Sequence, residues 1–297
     1  MCIRDSASEE GLIGILVQNN DVFVHHTTRS VDDDTVSNWF TKYTWNGEKL
    51  IEPVELLSFH KGTGTHNGGV MIEDENGIVL GAIGDLGYGK VLDMQQQKNF
   101  LSAENNYVGS ILSLNEPSEV YAVGIRNTYG LDIDPVTGIL WDTENGPNLF
   151  DEVNLVMPNF NGGWSAYTGP TEDPISTMYE PDFIGFLKSQ IRLLLSPFYG
   201  LFVLGDIYEY SDPEFSWKRT ISPTALNFAP SSFGKYENWL FVGDCNFGNI
   251  YKFKLNSDRN GFVLGHSNLK DLVVHEVDSL DSQFLYQLYL LKNQQQK

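Results

Sequence analysis

Four segments of this chain share one hydrophobic pattern. An alternating apolar strand runs into a short polar turn, and a second apolar strand returns. Gly11 to Thr27 reads GLIGILVQNNDVFVHHT and turns at Asn19-Asn20-Asp21. Gly68 to Asp85 reads GGVMIEDENGIVLGAIGD and turns at Glu75-Asn76-Gly77. Tyr129 to Gly146 reads YGLDIDPVTGILWDTENG and turns at Asp134-Pro135-Val136-Thr137-Gly138. Ala225 to Gly243 is a looser copy, with its turn near Lys235-Tyr236-Glu237. Asn-Gly and Asp-Pro-x-x-Gly supply the positive or preset φ that a hairpin turn requires. The first three copies begin at residues 11, 68 and 129. A hairpin recurring every 50–60 residues or so points to the blades of a β-propeller. The length of 297 residues leaves room for about five of them. Residues 171–211 break the pattern: Ile191–Leu195 and Phe202–Leu204 read as strands, or Phe183–Leu195 as a short helix. Residues 95–99 and 104–106 read as an exposed loop.

Composition agrees with an all-β chain. Hydrophobic residues at 41% and aromatic residues at 13% are enough for a packed core, and 28 glycines with 32 Tyr plus Phe favour strands and turns. No run approaches about eighteen consecutive apolar residues, so no transmembrane helix is expected. Nineteen basic against 39 acidic residues give a net charge of −20, which argues against nucleic acid and anionic membrane surfaces as partners. The two cysteines, Cys2 and Cys245, give no metal-cluster spacing, and no native disulfide is expected between them.

Chemistry concentrates between Glu119 and Trp164. Arg126 closes an apolar run and is followed at once by Asn127. A lone cation at the end of a buried strand needs a partner, because an unpaired buried charge costs several kcal/mol. About twenty residues on, Thr143-Glu144-Asn145-Gly146-Pro147-Asn148 and Asp151-Glu152 offer carbonyl and carboxylate oxygens, the ligands of hard cations. Together they suggest an anion and a metal held side by side. His66, just before Gly68-Gly69, is either a general base with a pKa near working pH or a structural histidine capping a strand. Asp132-Ile133-Asp134 with Gly138 is not an EF-hand, since Val136 and Thr137 stand where that loop needs an oxygen ligand and a glycine. Gly84-Asp85-Leu86-Gly87-Tyr88-Gly89 lacks the helix and Lys-Ser/Thr pair of a nucleotide loop.

These motifs, taken in order, resemble the glucose/sorbosone dehydrogenase family, the soluble pyrroloquinoline-quinone (PQQ) sugar dehydrogenases. Gly124-Ile125-Arg126-Asn127 with Gly130 is similar to the family's G-x-R-N-x-x-G strand. Residues 144–148, 151–155 and 161–164 are similar to its acidic Gly-Pro turn, its D-E-[IV]-N-L strand and its Gly-rich turn ending in Trp. Glu10-Gly11-Leu12-Ile13-Gly14, His66-Asn67-Gly68-Gly69 with Gly84-Asp85-Leu86-Gly87, and Ala229-Pro230-Ser231 with Leu240–Gly243 also agree. The matches run from about residue 9 to residue 255, with a gap near 170–210.

The resemblance implies a six-bladed β-propeller, incomplete here, that oxidises the anomeric hydroxyl of an aldose to the lactone with PQQ and Ca²⁺. It makes His66 the base. It makes Arg126 the cation that polarises the quinone, and it places Arg126, Asn127 and Asn145 at the cofactor. It gives Gly146 and Pro147 carbonyls to a Ca²⁺. Glu152 either serves a second, structural Ca²⁺ or braces the 151–161 loop. It also implies a periplasmic or extracellular location and an electron acceptor that the sequence does not identify. One position departs: the family often has a cofactor-binding Lys where this chain has Asn246, which favours a non-catalytic propeller binding carbohydrate or a protein partner. The expected organisation is a non-native or unstructured stretch 1–8, one propeller domain 9–280, and an aberrant or disordered tail 281–297, as in an internal fragment.

Overall fold

A computed structural model describes residues 9–87, 107–115, 119–164, 168–170 and 208–264. The expectations for 95–99, 104–106, most of 171–211 and both chain ends fall outside these residues. Among the described residues, seventeen strands form four sheets, and helix is limited to one short 3-10 segment, Ser231–Tyr236. The first sheet orders β1 (Leu12–Gln18), β2 (Asp21–Arg29), β3 (Val36–Trp45) and β4 (Leu50–Gly62) as an antiparallel meander. The second runs β5 (Met71–Glu73), β6 (Val79–Ile83), β7 (Ser110–Ser113) and β8 (Val120–Val123). It is extended in parallel beyond β8 by β12 (Phe160–Asn161) and β13 (Glu209–Tyr210). The third holds β9 (Thr128–Ile133), β10 (Leu140–Glu144), β11 (Leu149–Val156) and β14 (Phe215–Arg219). The fourth holds β15 (Pro223–Phe228), β16 (Leu240–Asp244) and β17 (Ile250–Phe253).

The first strands of successive sheets pack side by side, β1 against β5, β5 against β9 and β9 against β15. This is the radial arrangement of propeller blades, and the described residues have the all-β propeller fold that the sequence pattern predicts. The turns fall where the turn residues stand: Asn19 and the glycines at 77 and 138 all have φ between 56° and 79°.

Three apolar seams join the blades. Phe23, Phe40 and Phe59 meet Val79, Ile83, Leu112 and Leu114. Leu80, Ala82, Ile111 and Ala122 meet Leu131, Leu140 and Val156. Trp141, Val153, Phe215 and Trp217 meet Leu226, Leu240, Val242, Tyr251 and Phe253. The period-2 alternation of a strand sends its odd and even residues to opposite faces. In β6, Val79 and Ile83 therefore fill one seam while Leu80 and Ala82 fill the next, and all five residues are buried. Each buried large side chain contributes about 1.5–3 kcal/mol.

β1 is an edge strand of its sheet, with Leu12, Ile15 and Val17 more than half exposed. The expectation about a disulfide involves Cys2, which lies outside the described residues.

Candidate functional site

Loops from the second and third blades converge at one end of the propeller. Backbone bonds lace them together: Leu86 N–H donates to the His66 carbonyl at 3.2 Å, Asp85 N–H to Arg126 at 2.8 Å, and Asn145 N–H to Asn127 at 3.0 Å. The approach is close enough to exclude a side chain at Gly84. A Cβ there would stand 2.1 Å from the His66 carbonyl oxygen and 2.6 Å from that of Arg126. His66 itself has φ 55°, a left-handed conformation costing roughly 1–2 kcal/mol in a non-glycine residue. Such strain gathers at functional sites, where the surroundings hold it in place.

Four side chains close a circuit at this point. His66 Nδ1 lies 2.6 Å from Asp85 Oδ1. His66 Nε2 lies 2.8 Å from Arg126 Nη2. The Arg126 guanidinium sits over the Trp164 ring, 5.3 Å from its centroid. The indole N–H of Trp164 donates to Asp85 Oδ2 at 2.8 Å. A guanidinium has only donors, so Nε2 must accept, and the ring proton is on Nδ1, donated to Asp85. His66 is thus neutral, with its lone pair on the nitrogen that faces Arg126. Gly87 N–H also donates to Asp85 Oδ1, at 2.8 Å, which fixes a carboxylate that is itself only 2% exposed. Asp85→Asn should lower turnover by about ten- to a hundredfold, because the amide no longer selects the Nδ1–H tautomer. Steady-state kinetics beside a thermal melt would check this, and unchanged kinetics would remove Asp85 from the site.

Arg126 is 9% exposed. Nη1 donates to the Asn145 carbonyl at 2.7 Å, and Nε has no partner among the described residues. No described carboxylate forms an ion pair with the guanidinium. A buried cation satisfied by a carbonyl, an imidazole and a ring face retains unspent charge, which suits an incoming anion.

Behind Arg126, β10 and β11 bring Asp142, Glu144, Asp151 and Glu152 into the interior. Burial pushes all four up: Asp151 to about 6, Asp142 to about 7, Glu152 to about 8 and Glu144 well above its ordinary value. Repulsion from Glu152 and Asp142 adds to the effect of burial at Glu144. Glu144 and Glu152 face each other across the β10–β11 ladder. Glu144 Oε1 accepts the Arg126 N–H at 2.9 Å, while Glu144 Oε2 and Asn154 Oδ1 are buried without partners among the described residues.

Raised folded-state values mean that the native chain holds protons the unfolded chain has released. Stability is therefore fully present near pH 4 and falls as pH rises toward about 8. His25, lowered by burial to about 4, acts oppositely and below its ordinary value of 6.5. Four acids outweigh one histidine, so the ion-free protein should melt higher near about pH 5.5 than near about pH 8. A melting temperature that is flat or rises across that range would contradict this.

With the geometry in view, the comparisons decide the family. The sequence model for glucose/sorbosone dehydrogenase matches residues 5–179. The chain belongs to the glucose/sorbosone dehydrogenase family. It is 24% identical over 320 residues to quinoprotein glucose dehydrogenase B of Acinetobacter calcoaceticus, covering 85% of this chain and 66% of that protein. It is 25% identical over 205 residues to the aldose sugar dehydrogenase YliI of Escherichia coli strain K12, covering 66% of this chain and 50% of that one. The chain thus spans between half and two thirds of these curated relatives. The fold is similar to that of the PQQ-bound aldose sugar dehydrogenase of Streptomyces coelicolor, with a TM-score of 0.55, 18% identity, and coverage of 88% and 67%.

Most of the site residues read from the sequence of this family member come together. His66, Arg126 and Asn145 are in one bonded group. Asn127 lies beneath them with its side chain committed: Oδ1 accepts the Gly68 N–H at 3.1 Å, and Nδ2 donates to Glu9 at 3.3 Å. Asn145 Nδ2 reaches the Pro223 carbonyl at 3.0 Å, tying the site to the fourth blade. Gly146 and Pro147 are half-buried at the turn, and the Gly146 N–H donates to Asp151 at 2.8 Å. A Cβ on Gly146 would meet the carbonyl oxygens of Leu149 and Phe150 at 2.3 Å, so the turn gathers backbone oxygens tightly.

Glu152 accepts from the Gly169 N–H and from the Asn154 amide, one contact outside the 151–161 stretch and one within it. Among the described residues no three His, Cys, Asp or Glu are grouped to hold a metal ion. An ion here would depend mainly on backbone carbonyls. Asn246 is exposed, with its amide donating to the Thr220 carbonyl at 3.3 Å. The residues missed were Asp85 and Trp164. Both stand inside the recognised G-D-x-G and G-G-W motifs, but nothing in their spacing says that they meet.

Proposed function

We propose that this chain carries the active-site end of a quinoprotein sugar dehydrogenase that oxidises an aldose at its anomeric hydroxyl to the lactone, with PQQ and Ca²⁺. The carrying observation is the pairing of a neutral histidine, oriented by a buried carboxylate, with a buried arginine that has no acidic partner among the described residues. The curated relatives are named quinoprotein glucose dehydrogenase and aldose sugar dehydrogenase, and a similar fold has been solved with PQQ bound.

PQQ, when bound, would supply a two-electron acceptor for hydride. Arg126 would hold the anionic cofactor and favour the charge that develops on its oxygen. Its unpartnered Nε and its stacking on Trp164 fit that use. His66 Nε2 would accept the proton of the anomeric hydroxyl, while Nδ1–H stays hydrogen-bonded to Asp85, whose carboxylate stabilises the imidazolium. Nε2 is engaged by Arg126 in this structure, so that bond must open for the hydroxyl to take its place. The Gly146 and Pro147 carbonyls, with the unspent acceptors behind them, suit a hard cation. A periplasmic or extracellular location belongs to the same proposal. Among the described residues no helix is long and apolar enough to cross a membrane.

Asn246 favours the second reading, a propeller that binds carbohydrate or a protein without oxidising it, because an amide brings no charge to a cofactor carboxylate. PQQ titration in the presence of Ca²⁺ separates the two: saturable binding supports the enzyme, and none supports the binding propeller.

The ion has its own test. Ca²⁺ bound only by the native state raises stability by about 2.7 kcal/mol at a hundred times its Kd. EDTA should lower the melting temperature, and Ca²⁺ should restore it better than Mg²⁺, which demands a tighter octahedral shell. Indifference to all three would remove the metal.

A further inference from the structure

We infer that Trp164 is a positioning residue that couples the proton-accepting half of the site to the cationic half. The inference rests on the sugar dehydrogenase reading and deepens it. Two separate parts of the one indole do two things. Its N–H takes Asp85 Oδ2 at 2.8 Å, so the carboxylate cannot rotate and presents Oδ1 alone to His66 Nδ1. Its ring face lies under the Arg126 guanidinium at 5.3 Å, so the cation is held in its plane without being neutralised. An acid in the same place would neutralise Arg126, and an aliphatic side chain would leave Asp85 short of a donor.

The scaffold supports this assignment. Trp164 is 4% exposed, and its backbone N–H donates to the Gly124 carbonyl at 3.1 Å. Just before it, Asn161 Oδ1 accepts the Gly163 N–H at 2.9 Å. β12, which leads into this turn, pairs with β8, the strand that leads to Arg126. Trp164 and Arg126 therefore leave the same end of one sheet, and backbone pairing of the two strands sets the ring beside the guanidinium. A bidentate cycle of four groups restricts each member more than any single bond would.

The two roles come apart by substitution. Trp164→Phe keeps a ring face under Arg126 and removes the donor to Asp85. Replacing Trp164 with β-(3-benzothienyl)alanine keeps the full bicyclic shape and removes only that donor, which guards against a misfolded Phe variant. The primary readout is the His66 Nδ1–H proton, followed by ¹H NMR in protein free of cofactor. The parent should show it far downfield, as its 2.6 Å bond to Asp85 requires. In both variants Arg126 still donates to Nε2, so the proton stays on Nδ1, but its resonance should move upfield and broaden as the carboxylate is freed to rotate.

With PQQ and an aldose, kcat should fall about tenfold in both variants, with KM and PQQ affinity held. Trp164→Leu, which removes the face as well, should weaken PQQ binding too. A parental Nδ1–H resonance and parental kcat in the benzothienyl variant would overturn the inference. Failure of the parent to bind PQQ while that resonance still responds to Trp164 would overturn the enzyme reading alone.

Discussion

His66→Ala is expected to leave PQQ binding largely intact and to lower aldose turnover by roughly two to four powers of ten, the usual worth of a general base. The expectation follows from how His66 is held. Asp85 and Arg126 define its proton and its lone pair, yet neither needs the imidazole in order to fold. Arg126 keeps the Asn145 carbonyl and the Trp164 face in its absence. Asp85 keeps the Gly87 and Trp164 N–H groups. The loss should therefore be catalytic. The left-handed backbone at residue 66 suits Ala somewhat less than His, so the melting temperature should fall only slightly. Titration with PQQ and dye-coupled sugar oxidation would check both halves. Parental turnover would make His66 structural.

Arg126→Ala should behave differently. It removes the buried cation from the site of a cofactor that carries three carboxylates, and turnover and PQQ affinity should both fall. The affinity loss should be on the order of a hundredfold or more, since charge-assisted hydrogen bonds contribute about 1.5–3 kcal/mol each. Arg126→Lys should recover only part of either, because an ammonium cannot bond the Asn145 carbonyl and His66 together in the geometry of a planar fork. The fold should keep its stability: truncation removes the orphaned Nε, while Glu144 keeps its bond to the residue-126 backbone N–H. Loss of affinity at parental thermal stability is thus the expected signature. A variant that still binds PQQ like the parent would move the anion elsewhere.

The fold was legible because blade strands have a short-range signature. Alternation in Val79–Ile83 and the turn residues at Asn19, Gly77 and Gly138 determine strand, face and turn within a few positions of each other. His66, Arg126 and the Asn145-Gly146-Pro147 turn were legible as candidates because their residue types imply chemistry. Their partners were not. Asp85 and Trp164 are far apart in the chain, and their bond depends on the parallel pairing of β12 with β8, a contact no local pattern announces. The interior acids were read as an acidic turn. That Glu144 and Glu152 face each other follows only once the β10–β11 register is known. Glu152 shows the opposite limit: its residue type allowed a ligand or a brace, and only the third-blade geometry shows it bonded to the Gly169 backbone.

The most direct test of the account is equilibrium titration of the chain with PQQ in the presence of Ca²⁺, alongside Arg126→Ala. The account predicts saturable binding that weakens strongly when Arg126 is removed. Absence of binding, or binding indifferent to Arg126, would contradict it.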